Sequence, residues 1–410
     1  MILLSQLLKR LIQQGTLTVI DVKGREHVFS GTPGKSITMR LHTKAVERKL
    51  AFYPKLYLGE AFMNEELTVE GGTIYDLLEL LVRNMDWRSQ HPYAAFGDFI
   101  QKLYWMATKY NPRGRSLHNV AHHYDLSDEL YELFLDKNRQ YSCGYFKSPE
   151  DTIDQAQIQK MAHIAAKMGL RPGQKVLDIG CGWGGLARYL AENSETHVSG
   201  VTLSKNQLAY AQKMAERQNY QGKVDYSLTD YRDVDEKFDR IVSVGMFEHV
   251  GVPHYQQFFE KVKTTLTDDG VALIHTIGAA NSPSPTNPWI EKYIFPGSYI
   301  PSLSQISKVV EKVGLYITDV EVLRLHYAET LKAWRTRFNE NRDKARAIYD
   351  ERFCRMWEFY LASTEASFRC GSIVVFQVQV ARKIDGAPIT RDYITEIERN
   401  SLNPVRQAAE

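Results

Sequence analysis

Cysteine is scarce. The 410 residues hold four, Cys143, Cys181, Cys354 and Cys370, with no CxxC spacing among them. That excludes a disulfide scaffold and a cysteine-built zinc site, and the thiols read as free in a reducing compartment. No run of about 18 uncharged apolar residues occurs, so no segment is expected to span a membrane. Low-complexity tracts are missing, and the formal net charge is only +2. With no nucleic-acid-binding motif beside the basic residues, nucleic acid is not an expected partner. Glu248-His249 lacks HExxH spacing and no second cluster completes a site, so no metal is expected. The apolar start MILLSQLLKRLIQQG carries Lys9 and Arg10 after its apolar run, the reverse of a secretion signal, and no small-residue cleavage site follows. It reads instead as an amphipathic helix with Leu3, Leu4, Leu7, Leu8, Leu11 and Ile12 on one stripe.

The chain is long enough for two domains. Its charge is unevenly spread: between Met1 and Leu58 ten Lys/Arg face three acids. Such a face is either simply solvated or drawn to anionic lipid headgroups. Residues 1–85 alternate a helix with short β-like runs at Leu17–Val22, His27–Phe29, Ser36–Leu41 and Leu67–Glu70, a small α+β unit. Residues 86–120, including Pro112-Arg113-Gly114-Arg115, read as a helical linker plus loop. Over 121–400 the pattern becomes β-α-β, with apolar runs at Lys175–Ile179, His197–Val201, Arg240–Gly245 and Val271–Thr276. Regular alternation of this kind predicts an α/β, doubly wound parallel sheet. Ser372–Ala381 suits a final antiparallel edge strand. Long helical stretches are expected around Leu331–Phe368, and the Pro/aromatic insert Pro283–Pro301 suits a lid or the wall of an acyl channel.

The segment Val176–Gly185, VLDIGCGWGG, follows a strand and opens a helix. Glycines there permit a tight turn and let backbone N–H groups approach a ligand. Gly180, Gly182 and Gly185 also satisfy the dinucleotide pattern GxGxxG, but that pattern wants an acid about 20 residues on. Gly200-Val201-Thr202 stands there, with no acid. The acid comes first, as Asp178, with Gly180, Gly182 and Gly184 after it: the arrangement of an S-adenosylmethionine-dependent methyltransferase.

With the stretches His122-His123-Tyr124-Asp125-Leu126-Ser127, Tyr141-Ser142-Cys143-Gly144-Tyr145-Phe146, VLDIGCGWGG, Gly200-Val201-Thr202-Leu203-Ser204, Met246-Phe247-Glu248-His249-Val250-Gly251 and Phe295-Pro296-Gly297, the chain resembles the cyclopropane-fatty-acyl-phospholipid synthases and the related mycolic acid cyclopropane synthases. The resemblance implies a Rossmann-like class I methyltransferase domain, with a mostly parallel seven-stranded sheet, preceded by a small lipid-associating domain. It implies that Tyr141, Ser142, Gly180, Gly182, Thr202, Leu203, Ser204 and Gln207 hold S-adenosylmethionine, with an adenine-side contact at Asp230-Tyr231. It also implies a bicarbonate ion held by Cys143, Glu248, His275, the backbone of Ile277, and Tyr327. Expected partners are membrane phospholipids with unsaturated acyl chains, at the inner face of the membrane and from the cytoplasm, and a second copy in a homodimer.

An alkene is a weak nucleophile that needs no enzyme base before it attacks a methyl group. The base is needed afterwards, when a carbocation must lose a proton and close a ring before water quenches it. Cys143 and Tyr327 can donate to a bound anion, His275 can donate or accept, and Glu248 can orient the anion's hydroxyl. The rings of Tyr145, Phe146, Phe247 and Trp289 are candidates to stabilise the passing cation. Two other outcomes stay open: a methylene or methyl branch in place of a ring, or a lipid-binding homologue without activity. One departure from the family pattern stands at Thr364, where many members carry a cysteine and the nearest here is Cys370. A base mechanism needs no covalent thiol, so that cysteine reads as dispensable.

Overall fold

The computed structural model describes residues 1–85 and 126–401; the linker 86–120 and His122–Asp125 of the first family motif lie outside them. Along the described chain run α1 (Ile2–Leu11), β1 (Gln14–Ile20), β2 (Glu26–Ser30), β3 (Thr32–Leu41), α2 (Lys44–Phe52), α3 (Pro54–Met63), β4 (Leu67–Glu70), α4 (Ile74–Asn84), α5 (Asp128–Glu132), α6 (Ile153–Met168), β5 (Lys175–Ile179) and α7 (Gly185–Asn193). Then follow β6 (His197–Thr202), α8 (Lys205–Arg217), β7 (Val224–Leu228), β8 (Phe238–Val244), α9 (Tyr255–Thr265), β9 (Leu266–Ala279), α10 (Pro288–Tyr293), α11 (Leu303–Val313), β10 (Tyr316–Val322), α12 (His326–Glu340), α13 (Arg342–Ile348), α14 (Glu351–Cys370), β11 (Ile373–Ala381) and α15 (Asp392–Ser401). These divide into two compact units. The first takes 1–85, 285–296 and 328–373, and the second 126–284, 297–327 and 374–401.

In the first unit a four-stranded sheet has the order β2-β1-β3-β4, with β1 antiparallel to β2 and parallel to β3. α1 buries Leu4, Leu8 and Ile12, while Leu3 is 55% exposed, so the apolar stripe is narrower than the sequence suggests. Helices from late in the chain share this core, although the sequence assigns them to the later domain. α14 packs on α3 and α4, and α10 on α3. Trp289 of α10 meets Phe359 edge-on at 4.7 Å, and Arg355 donates to the Phe62 carbonyl at 2.7 Å.

The second unit holds a seven-stranded sheet of order β10-β11-β9-β8-β5-β6-β7. β5 is parallel to β6 and β8, β6 to β7, and β8 to β9; β10 and β11 are antiparallel. Strands covered on both faces read as unbroken apolar runs; Val176–Ile179 is buried throughout. The sequence puts the 372–381 strand at the sheet edge, and that is incorrect: β11 is interior and β10 forms the edge. β10 (YITDVEV) alternates polar and apolar residues and stays partly exposed along its length, as an edge strand does, which hides it from an apolar-run reading. The chain passes from β5 to β6 on one side and returns to β8 on the other. That reversal opens a crevice at the carboxyl ends of the strands, where such sheets bind ligands.

Candidate active site

The turn after β5 is pinned to the next strand, since the N–H groups of Gly180 and Cys181 both donate to the Val201 carbonyl, at 2.9 and 3.1 Å. Gly180, Gly182 and Gly184 all have positive φ. At Gly184 a Cβ would lie 2.4 Å from the Tyr226 hydroxyl oxygen, so the fold itself demands glycine. At Gly182 a Cβ would meet nothing within 4 Å: that backbone faces open space, as a ligand cradle should. Asp178 is 1% exposed, its Oδ2 has no hydrogen-bond partner, and burial pushes its carboxyl up to about 7 against the opposing charge of Lys160. A buried carboxylate with an orphan oxygen beside an open glycine turn fits a ligand rich in donors, as S-adenosylmethionine is.

The β6–α8 loop is a closed set. Thr202 Oγ1 donates to Gln207 Oε1 at 3.2 Å and accepts from Ser204 N–H at 3.2 Å; Ser204 caps α8 by accepting from Gln207 N–H. Leu203 is half-buried between them. After β7, Asp230 spends both carboxylate oxygens on Arg232, at 2.9 and 2.5 Å. That leaves the backbone and the largely buried Tyr231 ring as what the loop offers a base.

Helix α6 positions the strip that carries Tyr141, Ser142 and Cys143. Its capping box at Thr152–Gln155 fixes its start, and Gly169 in the left-handed conformation ends it. Gln157 Nε2 donates to the carbonyls of Ser142 (2.9 Å) and Gln140 (3.3 Å). One turn on, Lys160 Nζ donates to Gln140 Oε1 (2.6 Å) and Ser142 Oγ (2.9 Å). Lys160 is fully buried and is pushed down to about 8 by that burial, with Asp136, Cys143 and Asp178 pulling the other way. The Cys143 thiol donates to the Gly144 carbonyl at 3.3 Å, and Tyr145 N–H to Ala156 at 2.9 Å.

Beyond β8, Glu248 sits on a short 3-10 turn, Phe247–His249, and is 6% exposed. Its Oε1 accepts from Ile277 N–H at 2.7 Å, while Oε2 is buried with no partner. Burial pushes its carboxyl up to about 7, against the Ile277 hydrogen bond. His275 and Ile277 lie on one face of β9, two residues apart. Burial takes His275 down to about 3, so the ring is neutral; Gln377 Nε2 meets its Nδ1 at 3.1 Å, which leaves the proton on Nε2. Tyr327 is buried near the start of α12.

The structure therefore joins Glu248 to Ile277 directly, and ties the Cys143 strip to the neighbour of Tyr327, because Phe146 N–H donates to His326 Nδ1 at 3.0 Å. The Ile277 N–H, which the resemblance offers to a bound anion, is already committed to Glu248. All four aromatic candidates have ring neighbours: Tyr145 stacks on His163 and His326, Phe146 on His326 at 6.4 Å, Phe247 on Tyr255 at 4.4 Å, and Trp289 meets Tyr293 and Phe359 within the first unit. Sequence reasoning missed Gln157, Lys160, His163 and Gln377. A signal existed for three of them: Gln157, Lys160 and His163 recur every three residues along one side of α6, all buried, in a helix otherwise rich in Ala, Ile and Met.

A family model described as mycolic acid cyclopropane synthetase matches residues 112–378. A probable fatty acid methyltransferase of Pseudomonas putida is 40% identical over 266 residues, 63% of this chain and 68% of that protein. The cyclopropane-fatty-acyl-phospholipid synthase of Escherichia coli (strain K12) is 43% identical over 263 residues, 64% of this chain and 67% of that one. Among solved structures, the mycolic acid cyclopropane synthase CmaA1 complexed with SAH and CTAB matches with a TM-score of 0.62 at 35% identity, covering 66% of this chain and 99% of that one.

Proposed function

The chain belongs to the mycolic acid cyclopropane synthetase family, and from that membership we propose that it adds a methylene bridge across the cis double bond of an unsaturated acyl chain in a membrane phospholipid. It is an S-adenosylmethionine-dependent methyltransferase. The observation that carries the finer reading is Glu248: a buried carboxylate with one oxygen unsatisfied and the other held by the N–H of Ile277, which stands two residues along β9 from a neutral histidine.

S-adenosylmethionine, when bound, supplies the electrophilic methyl group; the Gly180–Gly184 turn, Asp178, Tyr141, Ser142 and the Thr202–Gln207 loop are the residues that would hold it. Bicarbonate, when bound, supplies a base small enough to reach a proton on the newly transferred carbon. Glu248 Oε2, buried without a partner, would accept a hydrogen bond from that anion's hydroxyl. His275 Nε2–H and the Tyr327 hydroxyl are the donors that would hold it in place, with the Cys143 thiol joining them once it turns from the Gly144 carbonyl. Burial of all four side chains excludes the water that would otherwise quench the cation. In this reading the protein reaches its lipid from the membrane surface; no described helix is long and apolar enough to cross a bilayer.

Incubation with methyl-labelled cofactor and vesicles of cis-unsaturated phospholipid tests the proposal. The expected product is heavier by one methylene unit and shows cyclopropane protons by NMR. Labelling of a fully saturated control, or a branched product in place of the ring, overturns it.

A further inference from the structure

His163 has no role in the mechanism above, yet it is 3% exposed and its two ring nitrogens both face carboxylates. Nε2 lies 2.7 Å from Glu321 of β10, and Nδ1 is hydrogen-bonded to Glu398 of α15. A carboxylate on each side requires a proton on each nitrogen, so the ring is an imidazolium. Further charges surround it. Lys167 stands 2.7 Å from Glu321 and 3.1 Å from Asp319, Arg391 reaches Asp319 at 3.0 Å, and Lys147 reaches Glu398 at 2.8 Å. The imidazolium lies flat on the Tyr145 ring, with centroids 4.2 Å apart and planes 8° apart. The Tyr145 ring also stacks on His326, at 4.8 Å and 16°. His326 in turn accepts the Phe146 N–H through Nδ1. Cys143 stands two residues before Tyr145, and Tyr327 directly follows His326.

We propose that His163 is a positioning residue: held by Glu398 and Glu321, it fixes through Tyr145 and His326 the placement of Cys143 relative to Tyr327, two donors of the anion site. The stack converts a charge anchored on the C-terminal helix α15 into the alignment of a loop and a helix start that are far apart in sequence. A cation on a ring face resists sliding more than an apolar contact does, because its energy depends on ring-centred geometry. The inference rests on the bicarbonate reading given above, and its test separates the two.

The experiment uses full-length Glu398→Gln, His163→Asn, Tyr145→Phe and Tyr145→Leu proteins. For Glu398→Gln and His163→Asn, kcat is expected to fall about tenfold and the KM for bicarbonate to rise by a similar factor, as misplaced donors should cause. S-adenosylhomocysteine affinity by calorimetry should stay within about twofold, because Ser142 on the cofactor side of the strip is held separately by Gln157 and Lys160. Tyr145→Phe, which keeps the ring, should retain about tenfold more activity than Tyr145→Leu. Hydrogen exchange at the Phe146 amide should accelerate in every variant that loses activity. Parallel loss of kcat and S-adenosylhomocysteine affinity would mark His163 as merely structural and overturn the proposal. So would unchanged Phe146 exchange. If His163→Asn does not fold, Glu398→Gln, which is isosteric, decides. If the wild-type rate ignores bicarbonate, the anion reading fails, and the stack then stands or falls on kcat and Phe146 exchange alone.

Discussion

A buried carboxylate with an oxygen that no donor meets can lower its free energy in two ways: it can take a proton or acquire a donor. Asp178 and Glu248 are both in that position, each with an orphan oxygen and each raised to about 7 by burial. The sign follows from proton uptake. A folded-state value above the ordinary one means stability that is fully present below the ordinary carboxylate range and lost as pH rises through about 7. Without ligand, Asp178 alone should therefore cost about 1.4 kcal/mol per pH unit between about pH 4 and pH 6, about 1 kcal/mol between pH 6 and pH 7, and little more above that. Asp178→Asn should remove its share of the slope in urea melts, leaving that of Glu248, while weakening cofactor binding; an unchanged slope would mean that Asp178 is not a titrating group. Glu248→Gln should leave S-adenosylhomocysteine affinity intact and lower kcat about a hundredfold or more, the ordinary worth of a positioned acid–base group. Equal loss of binding and turnover would count against its assignment to the anion. Thr364 makes the opposite prediction. Its hydroxyl donates to the Tyr360 carbonyl at 2.8 Å within α14, a helix-internal bond that carries no chemistry. Thr364→Cys should change kcat by less than about twofold in the same assay.

At the scale of elements, the β5–α7 turn separates two uses of glycine that look identical in VLDIGCGWGG. Gly184→Ala would drive a Cβ against Tyr226 and strain a left-handed residue, costing about 2–4 kcal/mol by the ordinary magnitudes of overpacking and backbone strain. Gly182→Ala meets no protein atom, so its backbone strain should cost only about 1–2 kcal/mol, while its methyl group occupies the space assigned to the cofactor. Denaturant melts beside calorimetry check the pair: the first should show mainly as lost stability, the second mainly as lost binding. The same contrast explains what the sequence reveals. Strands β5, β6, β8 and β9 are buried on both faces and announce themselves as apolar runs, and the glycine turn between them is legible from its spacing. β7 (VDYSL) and β10 (YITDVEV) close the two ends of the sheet, carry polar residues on alternate positions, and so resemble loops in one dimension. The polar stripe of α6 is hidden for a different reason. Gln157, Lys160 and His163 are buried because they bind other elements, and periodicity alone reads such residues as a solvated face. Cys143, His275 and Tyr327 became candidates only through the family motifs, since nothing in their local sequence distinguishes them from ordinary buried residues.

At the scale of the whole molecule the proposed substrate lives in a bilayer, while Cys143, Glu248, His275 and Tyr327 are buried. The basic excess of the first 58 residues is partly spent inside the fold: Arg25 pairs with Asp21, Lys35 with Asp76 and Glu79, and Arg40 with Glu70. Lys9, Arg10, Lys23, Lys44 and Arg48 are exposed and form no ion pair with the described residues. Ile2, Leu3, Val28 and Phe52 of the same unit are 80%, 55%, 59% and 76% exposed. Free cations beside exposed apolar side chains suit an anionic membrane surface, each cation adding about 1 kcal/mol near the headgroups. The attraction is electrostatic at range and hydrophobic on contact, so the two parts are separable. Sedimentation with vesicles containing anionic lipid should show strong binding at low salt. It should weaken at about 1 M salt, where the screening length falls to about 3 Å. Lys9→Glu with Arg10→Glu should lower binding at low salt and change it little at high salt. Ile2→Ser with Leu3→Ser should instead lower what remains at high salt, because apolar insertion is not screened. Binding that ignores both salt and lipid charge, or turnover on vesicles that survives the loss of binding, would remove this unit from the route by which the substrate arrives.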